Sequence, residues 1–254
     1  MDKAILKVEE LSVRFGALTA VKRVGFEAQR GHITSVIGPN GAGKSSLFNL
    51  ISGAIRPMEG RVLFDGRDTT GFNAVQMVSA GLSRSFQITN LFFELSVHEN
   101  LRLAAQFIEH GRGLFLPTQR SRLANNRVDE LLERFALRSR ADELAGYLSH
   151  GEQRRLEIAT ALACNPKMLL LDEPTQGMSL TDTQETEALI KELASDDLSI
   201  LLVEHDVELV MNISDHVVVM HQGEKLAEGT PLEVRANPQV QAAYFGEVRG
   251  HAHA

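Results

Sequence analysis

Eight consecutive residues, Gly38-Pro39-Asn40-Gly41-Ala42-Gly43-Lys44-Ser45, spell a G-x-x-x-x-G-K-[ST] loop, and the apolar run Thr34-Ser35-Val36-Ile37 before them reads as a buried strand feeding into it. The spelling is that of a phosphate cradle. Gly38, Gly41 and Gly43 let successive backbone N–H groups turn inward around the β-phosphate of a nucleoside triphosphate, at the start of a helix whose dipole favours anions. Lys44 adds a mobile point charge for the β- and γ-phosphates, Ser45 offers a hydroxyl to Mg²⁺, and Ser46 follows in the same first turn. A glycine-rich turn arising by chance is the competing reading; the strand-loop-helix setting weighs against it.

The second group of residues is acidic. Asp172 ends the apolar run Met168-Leu169-Leu170-Leu171, so its carboxylate emerges at the carboxyl edge of a sheet, where a phosphate loop also lies and where a Mg²⁺ ligand belongs. Glu173 follows directly, and strand alternation aims it elsewhere, toward a water in line with the γ-phosphorus that it can deprotonate. Standing alone, an Asp-Glu pair after a strand is as readily a solvated loop.

The segment Leu148-Ser149-His150-Gly151-Glu152-Gln153-Arg154-Arg155 resembles the L-S-G-G-Q signature of ATP-binding cassette (ABC) ATPases, and its place between the phosphate loop and the Asp-Glu strand is that family's order. The likeness runs from about Ile5 to Glu247. It implies ATP and Mg²⁺ as cofactors and gives roles to residues that say little singly. Phe15 falls at the adenine-stacking position, although alone it reads as one more core aromatic. Gln87 falls at the Q-loop glutamine that reaches Mg²⁺, and His205 at the switch histidine; Lys44, Gln87, Glu173 and His205 form the implied catalytic set. The implied metal ligands are Ser45, Gln87 and Asp172, and nucleotide contacts extend over the whole loop from Gly38 to Ser46 with Phe15. In the family two ATPase domains stack head to tail, so Ser149, Gly151 and Glu152 would touch the partner's nucleotide. The physical logic agrees: Ser149 and the Gly151 N–H sit where a helix begins, a second end suited to anions. His150, Glu152 and Ser179 depart from the family pattern, Ser179 standing where an aspartate is usual.

Arg14-Phe15-Gly16, Ser83-Arg84-Ser85-Phe86-Gln87, Arg154 to Ala159 and the ending Ala243-Tyr244-Phe245-Gly246-Glu247 look most like the ATPases of bacterial importers for branched-chain and other hydrophobic amino acids. That likeness implies partners: two membrane subunits, a second ATPase and, indirectly, a periplasmic binding protein, with this chain peripheral on the cytoplasmic face of the inner membrane. The ATPase of the lipopolysaccharide exporter is the alternative; it keeps the D-loop aspartate that Ser179 replaces. A soluble cassette protein of DNA repair or translation is a third class, one that carries two cassettes or a long coiled coil.

The elements that must position these residues follow from pattern. The resemblance implies an α/β P-loop fold with a RecA-like mixed-sheet core, an N-terminal antiparallel β section and an α-helical subdomain. Residues 1–87 and 166–229 are the expected nucleotide-binding core, 88–165 a helical subdomain carrying the signature, and 230–254 a helical tail. Alternation predicts strands at Leu11 to Phe15 and Val21 to Phe26, uniformly apolar runs predict parallel strands at Lys167 to Asp172 and Leu198 to Glu204, and a helix from Thr183 to Ala194 lies between them. Lys44 to Ser52 should be helical, Arg61 to Phe64 a strand before the turn Asp65-Gly66, and Val217 to Glu228 a closing hairpin. Two short helices should begin at Pro231 and Pro238.

Composition bounds the rest. The chain has 254 residues, 43% hydrophobic and 23% charged, enough for a well-buried core. Its net charge of −7 argues against a nucleic-acid partner, and the single cysteine, Cys164, cannot form an intrachain disulfide, which suits a reducing cytosol. No apolar run is long enough to span a bilayer. Arg112 to Arg140 carries seven arginines against three acids, a stretch that reads either as a solvated helix face or as a surface turned toward membrane subunits and anionic lipid.

Overall fold

The structure, a computed structural model, describes residues 4–85, 91–106, 122–195 and 197–245. The long strands β1 (Ala4–Phe15) and β2 (Leu18–Gln29) form an antiparallel hairpin, joined by β4 (Glu59–Phe64) and β5 (Arg67–Asp68) in a four-stranded sheet of order β2-β1-β4-β5. The second sheet is built on β3 (Ile33–Ile37), β7 (Met168–Asp172) and β8 (Ser199–Val203), with β6 (Leu82–Ser85), β9 (His216–His221) and β10 (Glu224–Gly229), in the order β10-β9-β3-β8-β7-β6. Its pairings are parallel except for β10 on β9. This is the mixed α/β architecture expected.

Every residue of β3, β7 and β8 is buried, which is why these strands read as unbroken apolar runs: both faces are covered. The two faces do different work, because side chains alternate. Leu169 and Leu171 pack toward helices α3 (Val97–Ala105), α4 (Arg122–Arg134), α5 (His150–Leu162) and α6 (Leu180–Leu193). Met168 and Leu170 pack instead with α1 (Lys44–Ile51) and the antiparallel sheet. Asp172 shares the parity of Met168 and Leu170, so the strand delivers its carboxylate to the side of the phosphate helix.

The structure corrects the pattern reading in several places. β1 and β2 run well beyond the short alternating stretches, α6 begins at Leu180 rather than Thr183, and α2 (Ala74–Ala80) and α7 (Val207–Ile213) carry no strong pattern of their own. Edge strand β6 was not legible at all: Leu82-Ser83-Arg84-Ser85 holds one large apolar residue, and only pairing with β7 makes it a strand. The tail helices α8 (Pro231–Ala236) and α9 (Pro238–Phe245) start at their prolines, and α8 is capped by Thr230 with Glu233 closing the box. No helix among the described residues is long and apolar enough to cross a membrane.

Candidate functional site

β3 leads straight into the loop Gly38 to Ser45, and α1 follows from Lys44. Two glycines are required by their surroundings rather than by habit. A Cβ on Gly38 would lie 2.2 Å from the Met220 carbonyl oxygen, and one on Gly43 would lie 2.3 Å from that of Ala20; the backbone φ values are +157° and +99°. The loop is thus pinned between β9 and β2, and Gly223 N–H donates to Ala42 O at 3.0 Å to complete the clamp. Phe15, at the turn of the same β1–β2 hairpin, is 48% exposed, an open aromatic face. Asn40, Gly41 and Ser45 face solvent, Pro39 and Ser46 are half-buried, and Ala42 is buried.

Lys44 is buried and its ammonium donates to Gly38 O at 2.7 Å and Pro39 O at 3.2 Å. Burial holds its pKa below the ordinary lysine value, and the carboxylates of Glu173 and Asp172 pull it back up. That mutual influence joins the first and second groups of residues in one site.

Asp172 is 1% exposed. Its Oδ2 accepts from Arg84 Nη2 at 2.6 Å, and Arg84 Nη1 also donates to Asn49 Oδ1 at 2.6 Å and Ser52 Oγ at 3.1 Å, so β6, β7 and α1 meet at one guanidinium. Asp172 Oδ1 is buried and without a hydrogen-bond partner among the described residues. A buried acceptor left unsatisfied is costly, and a divalent cation or its water shell would satisfy it; with the exposed Ser45 hydroxyl at the start of α1, the donor set fits Mg²⁺.

Glu173 departs from the alternation expected of it. Its φ is +47°, so the strand ends at Asp172 and the next residue turns into the left-handed region. Its N–H still donates to Val203 O at 2.9 Å, and its Oε1 lies 2.5 Å from Nε2 of His205. His205 sits just beyond β8 and is itself held by Glu204, whose Oε2 accepts the His205 N–H at 3.0 Å while Oε1 accepts both the N–H and the hydroxyl of Thr175. Gln87 lies outside the described residues.

Ser149 caps α5. Its Oγ accepts the Glu152 N–H at 3.3 Å and donates to Glu152 Oε2 at 2.9 Å, the same oxygen accepting the Ser149 N–H at 2.9 Å. That bonding, with Arg140 at 3.2 Å, engages the Glu152 carboxyl and keeps it below its ordinary pKa. Gly151 faces α6: a Cβ there would come within 3.0 Å of Asp182 Oδ1. Among the described residues Ser149 and Gly151 make no hydrogen bond to the phosphate loop of their own chain. Ser179 caps α6, accepting the Asp182 N–H at 3.2 Å. Within the described part of the basic stretch, Arg127 pairs with Glu130, and Arg140 with Glu143 and Glu152.

Residue-level reading overlooked Arg84, Arg154, Thr175 and Glu204. Arg154, on α5, is buried and donates to two backbone carbonyls around Glu173. A charged residue inside a helix's apolar face was the available signal.

A glycine-clamped phosphate loop, a buried lysine, and an aspartate and glutamate delivered by the adjoining strand system define a P-loop nucleotide-binding ATPase. The chain belongs to the ABC transporter family: residues 21–176 match that family's model, and residues 224–249 match a second one described as branched-chain amino acid ATP-binding cassette transporter. It is 43% identical to the high-affinity branched-chain amino acid transport ATP-binding protein LivG of Salmonella typhimurium, over 97% of this chain and 100% of that one. The lipopolysaccharide export ATP-binding protein LptB of Haemophilus influenzae is a more distant relative at 32%, covering 96% and 98%. The crystal structure of a nucleotide-free ATP-binding cassette from an ABC transporter superposes with a TM-score of 0.84 at 32% identity, over 95% of this chain and 99% of that one.

Proposed function

We propose that this chain is the ATP-hydrolysing subunit of an importer for branched-chain or related hydrophobic amino acids, working as one of a head-to-tail pair on the cytoplasmic face of two membrane subunits. The observation that carries the solute class is the match of the C-terminal segment 224–249 to the branched-chain amino acid transporter model, beyond the general cassette.

The geometry supports a definite division of labour. Lys44 leaves the carbonyls of Gly38 and Pro39 and takes the β- and γ-phosphate oxygens, exchanging neutral acceptors for charged ones. Ser45 and Asp172 Oδ1, with Gln87, would hold Mg²⁺, which would supply positive charge to offset that of the phosphates. Glu173 takes the proton from the attacking water, and His205, at 2.5 Å, holds its carboxylate and answers the γ-phosphate. Phe15 stacks the adenine. The start of α5, with Ser149 and Gly151, closes on the partner's γ-phosphate, so ATP bridges two chains and hydrolysis removes the bridge.

The test is uptake. Cells lacking this chain but retaining its membrane and binding-protein partners should fail to accumulate labelled leucine, and should recover with the wild-type chain but not with Lys44→Ala. Recovery with Lys44→Ala, or leucine uptake indifferent to the chain while another solute depends on it, would refute the reading.

A further inference from the structure

Glu173 holds an expensive conformation. The left-handed region crowds any residue that carries a Cβ, and the residue before a proline is normally held extended, yet Glu173 has φ +47° with Pro174 next. Such a residue persists only where its surroundings over-determine it. Its N–H is held by Val203 O at 2.9 Å. The two carbonyls that bracket it are held by one side chain: Arg154 Nη2 donates to Asp172 O at 3.1 Å, and Arg154 Nε donates to Pro174 O at 3.0 Å. The guanidinium is in turn aimed by Glu157, whose Oε2 accepts from Nη1 at 2.5 Å, with both side chains about nine-tenths buried.

We infer that Arg154 is the positioning residue of the catalytic glutamate. It fixes the carbonyls of Asp172 and Pro174, the residues on either side of Glu173, so that the carboxylate stays where His205 and an in-line water meet it. A planar fork with fixed donor directions suits two carbonyls at a set separation better than an ammonium does. Arg154 also lies five residues into the helix that Ser149 caps, about 7 Å along its axis. The base of one ATP site is therefore tied to the helix whose tip is turned toward the other. The role of Glu173 as base rests on the proposed function above.

The experiment is a rate cycle on the full chain. Arg154→Met should lower kcat for ATP hydrolysis about 10- to 100-fold, as expected for a misplaced catalytic group, with KM for ATP within twofold of wild type. Arg154→Lys should fall between wild type and Met. In the Glu173→Gln background, where the carboxylate to be positioned is gone, Arg154→Met should add less than a twofold loss. Equilibrium binding of labelled ATP reports the fold; should the Met variant fail to bind, the Lys variant carries the test in both backgrounds. Rates indifferent to residue 154, or the same fold loss with and without Glu173, would overturn the inference. A Glu173→Gln protein hydrolysing ATP at the wild-type rate would instead overturn the base assignment itself, so the two failures are distinct.

Discussion

The phosphate loop and the hydrolytic cluster share one site but are made in opposite ways. The loop is eight contiguous residues between a strand and a helix, and its conformation follows from its own glycines and two neighbouring carbonyls. The cluster is drawn from β6, β7, α5 and the segment just after β8: Arg84, Asp172, Glu173, His205 and Arg154 converge through polar contacts between residues far apart in sequence. On the proposed division of labour, binding is locally encoded and hydrolysis is assembled. Substitutions in the loop should therefore remove the ligand, and substitutions in the cluster should leave the ligand and remove the reaction.

The largest effect expected is on the reaction. Glu173→Gln keeps the shape but cannot accept the proton, and losing a general base typically costs ~10²- to 10⁴-fold in rate. Lys44, Ser45 and Asp172 are untouched, so ATP stays bound and the chain should accumulate as a dimer in ATP by size exclusion with light scattering. Adding Ser149→Arg, a bulky cation at the tip of α5, should return it to monomer while each chain still binds ATP. A dimer that ignores ATP would break the division between binding and hydrolysis.

In the other half, Lys44→Ala removes the charge-assisted bonds to two phosphate groups, worth together roughly 3 kcal/mol or about 10²-fold in affinity. Titration with labelled ATP reads it directly. Equal affinities for the two proteins would mean that the loop binds without its lysine.

Arg84→Met tests whether assembly has a cost of its own. Arg84 is the buried cation on Asp172, with 10% and 1% of the two side chains exposed, and removing one partner of a buried pair typically costs about 3 kcal/mol. The drop should appear as a lower melting temperature without ligand and should shrink in Mg²⁺ and ATP, because a divalent cation at the proposed position would supply charge beside the same carboxylate. A gap unchanged by Mg²⁺ and ATP would separate Arg84 from the metal position.

This contrast explains what the sequence made readable. The loop, the strand ending at Asp172 and the cap at Ser149 are local patterns, and each stands where its spelling places it. The buried parallel strands were equally legible, because covered faces leave an apolar run. β6 was not, since one leucine among serines and an arginine becomes a strand only by pairing with β7. The left-handed turn at Glu173 was missed for the same reason: no glycine announces it, and it is held by Val203 and Arg154 from other elements. Arg84 and Glu204 are ordinary charged residues until the fold brings Asp172, Thr175 and His205 to them.

The tip of α5 sharpens the comparison at its smallest scale, being local like the loop yet tied through Arg154 to the cluster. Glu152 accepts the Ser149 N–H and hydroxyl, and this bonding lowers its carboxyl below the ordinary 4.5. A carboxyl depressed in the folded state stabilises above its unfolded pKa and loses that contribution as pH falls through the folded value. Glu152→Gln should thus melt lower than wild type at pH 6 to 7, by no more than the roughly 1 kcal/mol that a helix cap supplies, or about 2–4 °C in a chain of this size. As pH falls below 4.5 and through the lowered folded value, the wild-type carboxyl takes up a proton, becomes neutral like the amide, and the two melting curves should converge. A melting difference constant from pH 7 to 3 would show that Glu152 stabilises the helix start by shape rather than by charge.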